Sequence, residues 1–161
     1  MKAPKSLVSS FAEVERTTNN ARRNGKTVVT TNGCFDILHI GHIRYLAHAK
    51  SLGDILIVGV NSDASVRALK GAGRPVVPAR ERAELVAALK MVDAVFMFND
   101  ATPVVWLRKL KPNIHVKGAD RTLSQILERR VVEEGGGRIV MAPLTKDHST
   151  TALIKKVRGS N

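Results

Sequence analysis

Five short apolar runs, rich in β-branched residues, recur along the chain at 27–31, 54–60, 94–98, 114–117 and 138–141. Each is nearly continuous in hydrophobicity rather than alternating, the pattern of strands covered on both faces. The intervening segments follow helical spacing. Residues 9–24 place Phe11, Val14 and Ala21 on one face and stop at Gly25. A helix opens near Gly41 and runs through Tyr45, Leu46 and Ala49 to Gly53, and another follows the cap Asn61-Ser62-Asp63 as far as Leu69. The segment 80–89 predicts a helix with Leu85, Val86 and Leu89 inward. Thr102 as N-cap and Pro103 at the first helical position predict the next, ended by Lys111-Pro112. Residues 123–134 form a helix closed by Gly135-Gly136-Gly137, and Ser149-Thr150-Thr151 opens the last, to Val157. Strands alternating with helices at this spacing predict an α/β fold, a five-stranded parallel sheet with helices on both faces. The whole chain, 1–161, reads as a single domain with residues 1–24 as an N-terminal helical extension, and no repeat or linker interrupts it.

In such sheets ligands bind beyond the C-terminal strand ends, where strand order reverses. Polar clusters follow the strands at 33–42, 61–63, 99–100, 117–120 and 147–151. Five clusters on one predicted edge outweigh any one of them. The densest is the segment from Gly33 to His42, where a strand and a Gly-containing turn lead into His39-Ile40-Gly41-His42 at a helix start. Helix N-termini point backbone N–H groups and a positive dipole at anions, and glycine allows close approach. Two imidazoles three residues apart can both reach one phosphate chain. They could also hold a metal, but Asp36 is the only close carboxylate and no third ligand stands nearby, so phosphate is the favoured reading and no metal site is assigned.

Charge adds a constraint on the partner. Lys and Arg number 26 against 14 Asp and Glu, a net charge of +12. A surplus of that size suits an anionic partner. Basic residues are scattered, with only short clusters such as Arg22-Arg23 and Lys155-Lys156, and aromatics make up 4%. Base-stacking platforms are therefore scarce, which favours a small phosphorylated substrate over nucleic acid. The single cysteine, Cys34, excludes an internal disulfide and a Cys-based zinc cluster, and has no paired base that would make it a nucleophile. No apolar run reaches about 18 residues and the N-terminus lacks an apolar signal core, so a cytoplasmic chain without a membrane span is expected.

The run Gly33-Cys34-Phe35-Asp36-Ile37-Leu38-His39-Ile40-Gly41-His42 resembles the GxFDxxHxGH signature of the cytidylyltransferase-like nucleotidyltransferases. Further stretches fall in that family's order: Val60-Asn61-Ser62-Asp63, Lys70-Gly71 with Arg74-Pro75, Arg82, Val92-Asp93, Val116-Lys117-Gly118-Ala119-Asp120 and His148-Ser149-Thr150-Thr151. The resemblance covers roughly residues 27–158 and is nearest to the adenylyltransferase of ADP-heptose synthesis. It implies a Rossmann-like nucleotidyltransferase fold and a reaction in which ATP, with Mg²⁺, and a sugar 1-phosphate give an ADP-sugar and pyrophosphate. A separate heptose kinase would supply the substrate, and a homodimer is possible as in relatives.

By resemblance, His39 and His42 contact the triphosphate, with Lys70 and Lys117 neutralising phosphate charge. Gly33, Cys34, Phe35, Gly41, Gly118 and Asp120 lie against the nucleotide, and Ser149, Thr150 and Thr151 offer hydroxyls and a second helix N-terminus to the β- and γ-phosphates. Asp36 holds the sugar or Mg²⁺. Asn61 and Asp63 face the substrate, although Asp63 also suits a helix cap. Arg74 and Arg82 grip the sugar phosphate, although Arg82 equally suits a carboxylate partner. Trp106 and His115 read as core or wall. The glycerol-3-phosphate cytidylyltransferases carry an Arg-Thr-Glu-Gly run before Ile-Ser-Thr-Thr. Here Leu144-Thr145-Lys146-Asp147 precedes His148 and the arginine is absent, leaving Lys146 or Lys117 as substitutes.

Overall fold

The computed structural model describes residues 7–119, 122–143, 145–146 and 148–159. Its elements are α1 (Phe11–Arg23), β1 (Val28–Gly33), α2 (Ile40–Ser51), β2 (Ile55–Asn61), α3 (Asp63–Lys70), α4 (Ala79–Ala87), β3 (Ala94–Phe98), α5 (Val104–Leu110), β4 (Ile114–Gly118), a 3₁₀ turn (Leu123–Gln125), α6 (Arg129–Glu134), β5 (Arg138–Ala142) and α7 (Thr150–Val157). The five strands form one parallel sheet in the order β3-β2-β1-β4-β5. Strand order therefore reverses between β1 and β4, as a Rossmann-like doubly wound sheet requires.

Two apolar layers cover the sheet because strand side chains alternate in direction. Val29, Leu56, Val58, Val60 and Val95 face Leu46 and Ala49 of α2 and Ala83 and Val86 of α4. Val28, Ile57, Phe96 and Phe98 face Val14 of α1, Trp106 and Leu107 of α5, and Val131 of α6. Both faces are buried, which is why each strand reads as an unbroken apolar run.

Three local expectations change. Leu85 is 50% exposed, so α4 buries Ala83 and Val86 and turns Leu85 outward. Thr102 does not cap α5: the N-cap is Pro103, without a side-chain cap bond. The segment 123–134 is two pieces. Thr122 and Gln125 close a short turn by reciprocal bonds, Ile126 leaves it in extended conformation, and α6 starts only after Glu128. Among the described residues no helix is long and apolar enough to cross a membrane.

Gly137 shows how tightly the helix–strand connections close. A Cβ there would stand 2.2 Å from the Pro112 carbonyl oxygen, on the turn that leads into β4. Backbone cannot yield as a side-chain tip does, so Gly137→Ala is expected to destabilise the chain by about 1–3 kcal/mol, the usual range for overpacking. Gly73→Ala, where nothing lies within 4 Å, serves as the control. Urea unfolding midpoints of the two variants measure the difference, and equal midpoints would contradict it.

Candidate functional site

The turn after β1 carries the site, and two buried charges hold it. Phe35 adopts a positive φ of 48°, which turns the chain sharply and sends its ring into the core. Asp36, whose side chain is sealed from solvent, accepts from the amides of Val76 (2.8 Å) and Val77 (2.9 Å) and from Nε of Arg74 (2.5 Å). Burial alone would raise its pKa, but the Val77 amide, Arg74 and the Val76 amide together hold it below the ordinary carboxylate range. Arg82 on α4 is fully buried. Its Nε donates to Val77 O (2.8 Å), Nη1 to Cys34 O (2.5 Å) and Nη2 to Asp63 (2.8 Å).

These bonds revise several expectations. Asp36 has both oxygens engaged by the 74–77 loop. Arg82 takes the carboxylate partner, Asp63, and is sealed from any sugar phosphate. Asp63 does not cap α3; Ser62 does, accepting from the Ser65 amide. Asn61 is buried and donates to Ser65 Oγ at 2.9 Å, while Ser62 Oγ donates to Asn99 at 2.5 Å. The Phe35 ring packs 5.3 Å from the His42 ring and belongs to the core instead of a nucleotide surface. Asp120 lies outside the described residues.

His39 is the N-cap of α2, a role usually filled by Ser, Thr, Asp or Asn. Its Nδ1 accepts from the Gly41 amide at 3.1 Å. An accepting Nδ1 carries no proton, so in the neutral ring Nε2–H is the donor left for a ligand. Gly41 serves this cap by lacking a side chain, since a Cβ would stand 2.9 Å from Cε1 and Nδ1 of His39. The His42 ring stacks on His39 with centroids 3.9 Å apart, and its Nδ1 is buried without a partner among the described residues. Burial first, then the neighbouring ring, lower both histidines. His39 is depressed by burial and by His148, and His42 falls to about 4 through burial and His39. Both imidazoles are neutral at physiological pH.

The helix N-termini divide the work unevenly. At α2 the amides of Gly41 and His42 are already bonded to His39 Nδ1 and His39 O. At α7, Ser149 caps the Ala152 amide (3.1 Å), while the amides of Thr150 and Thr151 have no partner among the described residues. The Thr150 hydroxyl reaches Ile37 O at 3.4 Å and Thr151 is exposed, so the start of α7 sits against the β1–α2 turn. His148 joins it there, with its Cβ 3.4 Å from where a Gly41 Cβ would be. In the sequence His148 stands only as part of the His148-Ser149-Thr150-Thr151 motif, because nothing in the chain order signals its closeness to His39.

The cations separate as well. Lys70 ends α3, is exposed, and has no ion-pair partner among the described residues. Arg74 keeps its Nη groups while Nε is engaged by Asp36. Lys117 is paired with Glu128 at 2.5 Å and donates to Asn32 at 3.0 Å. Gly118 ends β4 beside Ala142. Cys34 is half-buried next to Gly33. Burial raises its thiol pKa despite the nearby charges of Lys70, Arg82 and Arg74, so it stands protonated. Among the described residues no group of three or more His, Cys, Asp or Glu could hold a metal ion.

The depressed histidines predict an acid-sensitive fold. Unfolded, such imidazoles titrate near 6.5, and His42 in the folded chain titrates at about 4. Between those values the unfolded chain binds more protons, so the contribution is complete above about 6.5 and declines as pH falls toward 4. Urea midpoints measured from neutral pH down to about 4 are expected to drop across this window, and His42→Asn to flatten the drop. An unchanged slope in the variant would contradict the assignment.

Comparison with known proteins agrees with this geometry. A family model described as "Cytidylyltransferase-like" matches residues 30–156. The bifunctional protein HldE of Syntrophotalea carbinolica is 48% identical over 136 residues, which cover 84% of this chain and 28% of that protein. The bifunctional protein HldE of Nitratiruptor sp. is 43% identical over 158 residues, covering 98% of this chain and 33% of that protein. The chain thus spans a third or less of the length of these curated relatives. Among solved structures, the lipopolysaccharide core biosynthesis protein from Thermoplasma volcanium GSS1 aligns with a TM-score of 0.64 and 30% identity, covering 77% of this chain and 100% of that one. With its HxGH turn at the switch point of a parallel sheet, the chain belongs to the cytidylyltransferase-like family of nucleotidyltransferases.

Proposed function

We propose that the chain is an adenylyltransferase that transfers AMP from ATP to D-glycero-D-manno-heptose 1-phosphate, giving ADP-heptose and pyrophosphate. The observation that carries the transfer reaction is the stacked His39–His42 pair facing the open N-terminus of α7, at the sheet edge where strand order reverses. The sugar and the base rest on the motif resemblance, and the lipopolysaccharide core biosynthesis neighbour supports the sugar.

A phosphate oxygen of the sugar phosphate attacks the α-phosphorus in line. As that bond forms, the bond from the α-phosphorus to the bridging oxygen breaks, and pyrophosphate leaves with the electron pair. The nucleophile is already an anion, so no general base is needed. The task is to hold two mutually repelling anions in line and to stabilise charge growing on the leaving group. His39 Nε2–H and the His42 ring supply neutral donors fixed by cap and stack. The Thr150 and Thr151 amides and the Thr151 hydroxyl supply the second set, and Lys70 and the Arg74 Nη groups supply mobile positive charge. Asp36 has no free oxygen, and the described residues do not offer a donor set for a resident Mg²⁺. Mg²⁺ belongs with the ATP substrate, and no step is assigned to it.

The family's description favours a second reading, transfer of CMP from CTP to a polyol phosphate such as glycerol 3-phosphate. Pyrophosphate release, measured with ATP and CTP across a panel of sugar and polyol phosphates, is expected to be greatest with ATP and the heptose 1-phosphate. Turnover with CTP and glycerol 3-phosphate alone would replace the first reading with the second. His42→Ala is expected to keep the fold, checked by circular dichroism, and to lose at least about 100-fold in kcat/KM. A loss of about ten-fold or less, roughly 1.4 kcal/mol, is too small for a donor to the transition state.

A further inference from the structure

β1 and β4 pair only at Val29 with Ile114 and at Thr30 with His115. Beyond that rung the strands part, and the gap between them is the crevice at the switch point. Side chains bridge it in place of backbone. On one face the hydroxyls of Thr31 and Tyr45 both reach Val116 O, at 3.0 and 2.9 Å. On the other, Thr30 Oγ1 lies 2.8 Å from His115 Nδ1, and one pleat further out Lys117 Nζ donates to Asn32 Oδ1 at 3.0 Å.

The second partner of Lys117 comes from outside both strands. Glu128 Oε1 stands 2.5 Å from Nζ, with side-chain exposures of 18% for the lysine and 8% for the glutamate. Glu128 is the residue before α6, and its backbone is anchored on both sides. The Thr122–Gln125 turn and the buried Ile126 precede it, and Val131 and Val132 are buried behind it. An ion pair this sheltered carries a desolvation cost that attraction offsets only when both groups are well bonded. Replacing such a pair by apolar residues of similar volume is often neutral or stabilising, so fold stability is a weak account of two charges in the crevice.

We infer that Glu128 is a positioning residue which, with Asn32, fixes the Lys117 ammonium at the mouth between β1 and β4, so that Lys117 meets the nucleotide from one place. This rests on the nucleotidyltransferase reading above. Glu128 touches no reacting atom and acts through Lys117. Because it offsets the lysine charge, the triphosphate is left to the imidazoles, Lys70 and α7, and Lys117, with two of its three N–H groups held by Glu128 and Asn32, contributes one directed N–H donor to the nucleotide instead of free charge.

The test is nucleotide binding by isothermal calorimetry, with ATP and with CTP, in the absence of sugar phosphate. Glu128→Ala is expected to weaken binding of the preferred nucleotide by about ten-fold and raise its KM in step, with kcat within about three-fold of wild type. Glu128→Asp should recover part of the loss, and Glu128→Gln, an isostere, carries the comparison if Glu128→Ala does not fold. Lys117→Met should weaken binding to a similar degree, and adding Glu128→Ala to it should cost nothing more, the signature of residues acting as a unit. Binding by Glu128→Ala and Glu128→Gln within about two-fold of wild type, or additive losses in the double variant, would overturn the inference. Absence of pyrophosphate with every panel member, while nucleotide binding still responds to Glu128, would overturn the proposed reaction alone. Binding of neither nucleotide by the wild-type chain would overturn both.

Discussion

The Arg82 guanidinium is the constraint on which the site depends. It is sealed from water and joins three segments that meet nowhere else in sequence: the Cys34 carbonyl in the turn after β1, the Val77 carbonyl before α4, and Asp63 at the start of α3. Asp36 works from the other side of the same loop, accepting the Val76 and Val77 amides and Arg74. A buried charge is tolerable only when paired and fully bonded. Here the bonding requirement of two opposite charges fixes the 74–78 loop against the HxGH turn. The Phe35 ring, packed on His42, ties the same turn to the core.

That rigidity matters because the site's electrostatics are arranged as fixed dipoles more than as free charges. His39 is held neutral by burial and by His148, and His42 by burial and by His39, so each offers a directed N–H. The Lys117 charge is offset by Glu128. The amides of Gly41 and His42 are satisfied within the α2 cap, whereas those of Thr150 and Thr151 have no partner among the described residues. Preorganised donors aimed at developing charge need no rearrangement during reaction, and that is where such sites gain most of their rate. The chain's surplus of +12 suits an anionic partner.

Much of the architecture was legible because its signals are local. Unbroken apolar runs declared strands covered on both faces, and the glycine and Ser-Thr-Thr punctuation declared helix ends. Where local signals misled, a tertiary term won. Leu85 fits the helical stripe of α4, yet Ala83 and Val86 already fill the layer against β2 and β3. The segment 123–134 has helical composition, yet Ile126 is drawn into the core and breaks it before α6.

The sequence by itself determined the parallel sheet, the edge that carries the site, and the His39–His42 pair, because strand periodicity, helix caps and an HxGH turn are each written within a few residues. The tertiary structure alone decided which polar residues pair with one another. Asp36, Asn61 and Arg82 look like ligand contacts in the chain, but each is buried and bonded inside the protein, and the part-exposed Asp63 pairs with Arg82. Lys117 and Glu128, 11 positions apart, are paired only because α6 packs back against the sheet beside β4. His148 comes to His39 only because α7 docks on the turn after β1. Sequence order records residue chemistry, while competition for hydrogen-bond partners in a low-dielectric interior, which is settled only on folding, assigns the roles.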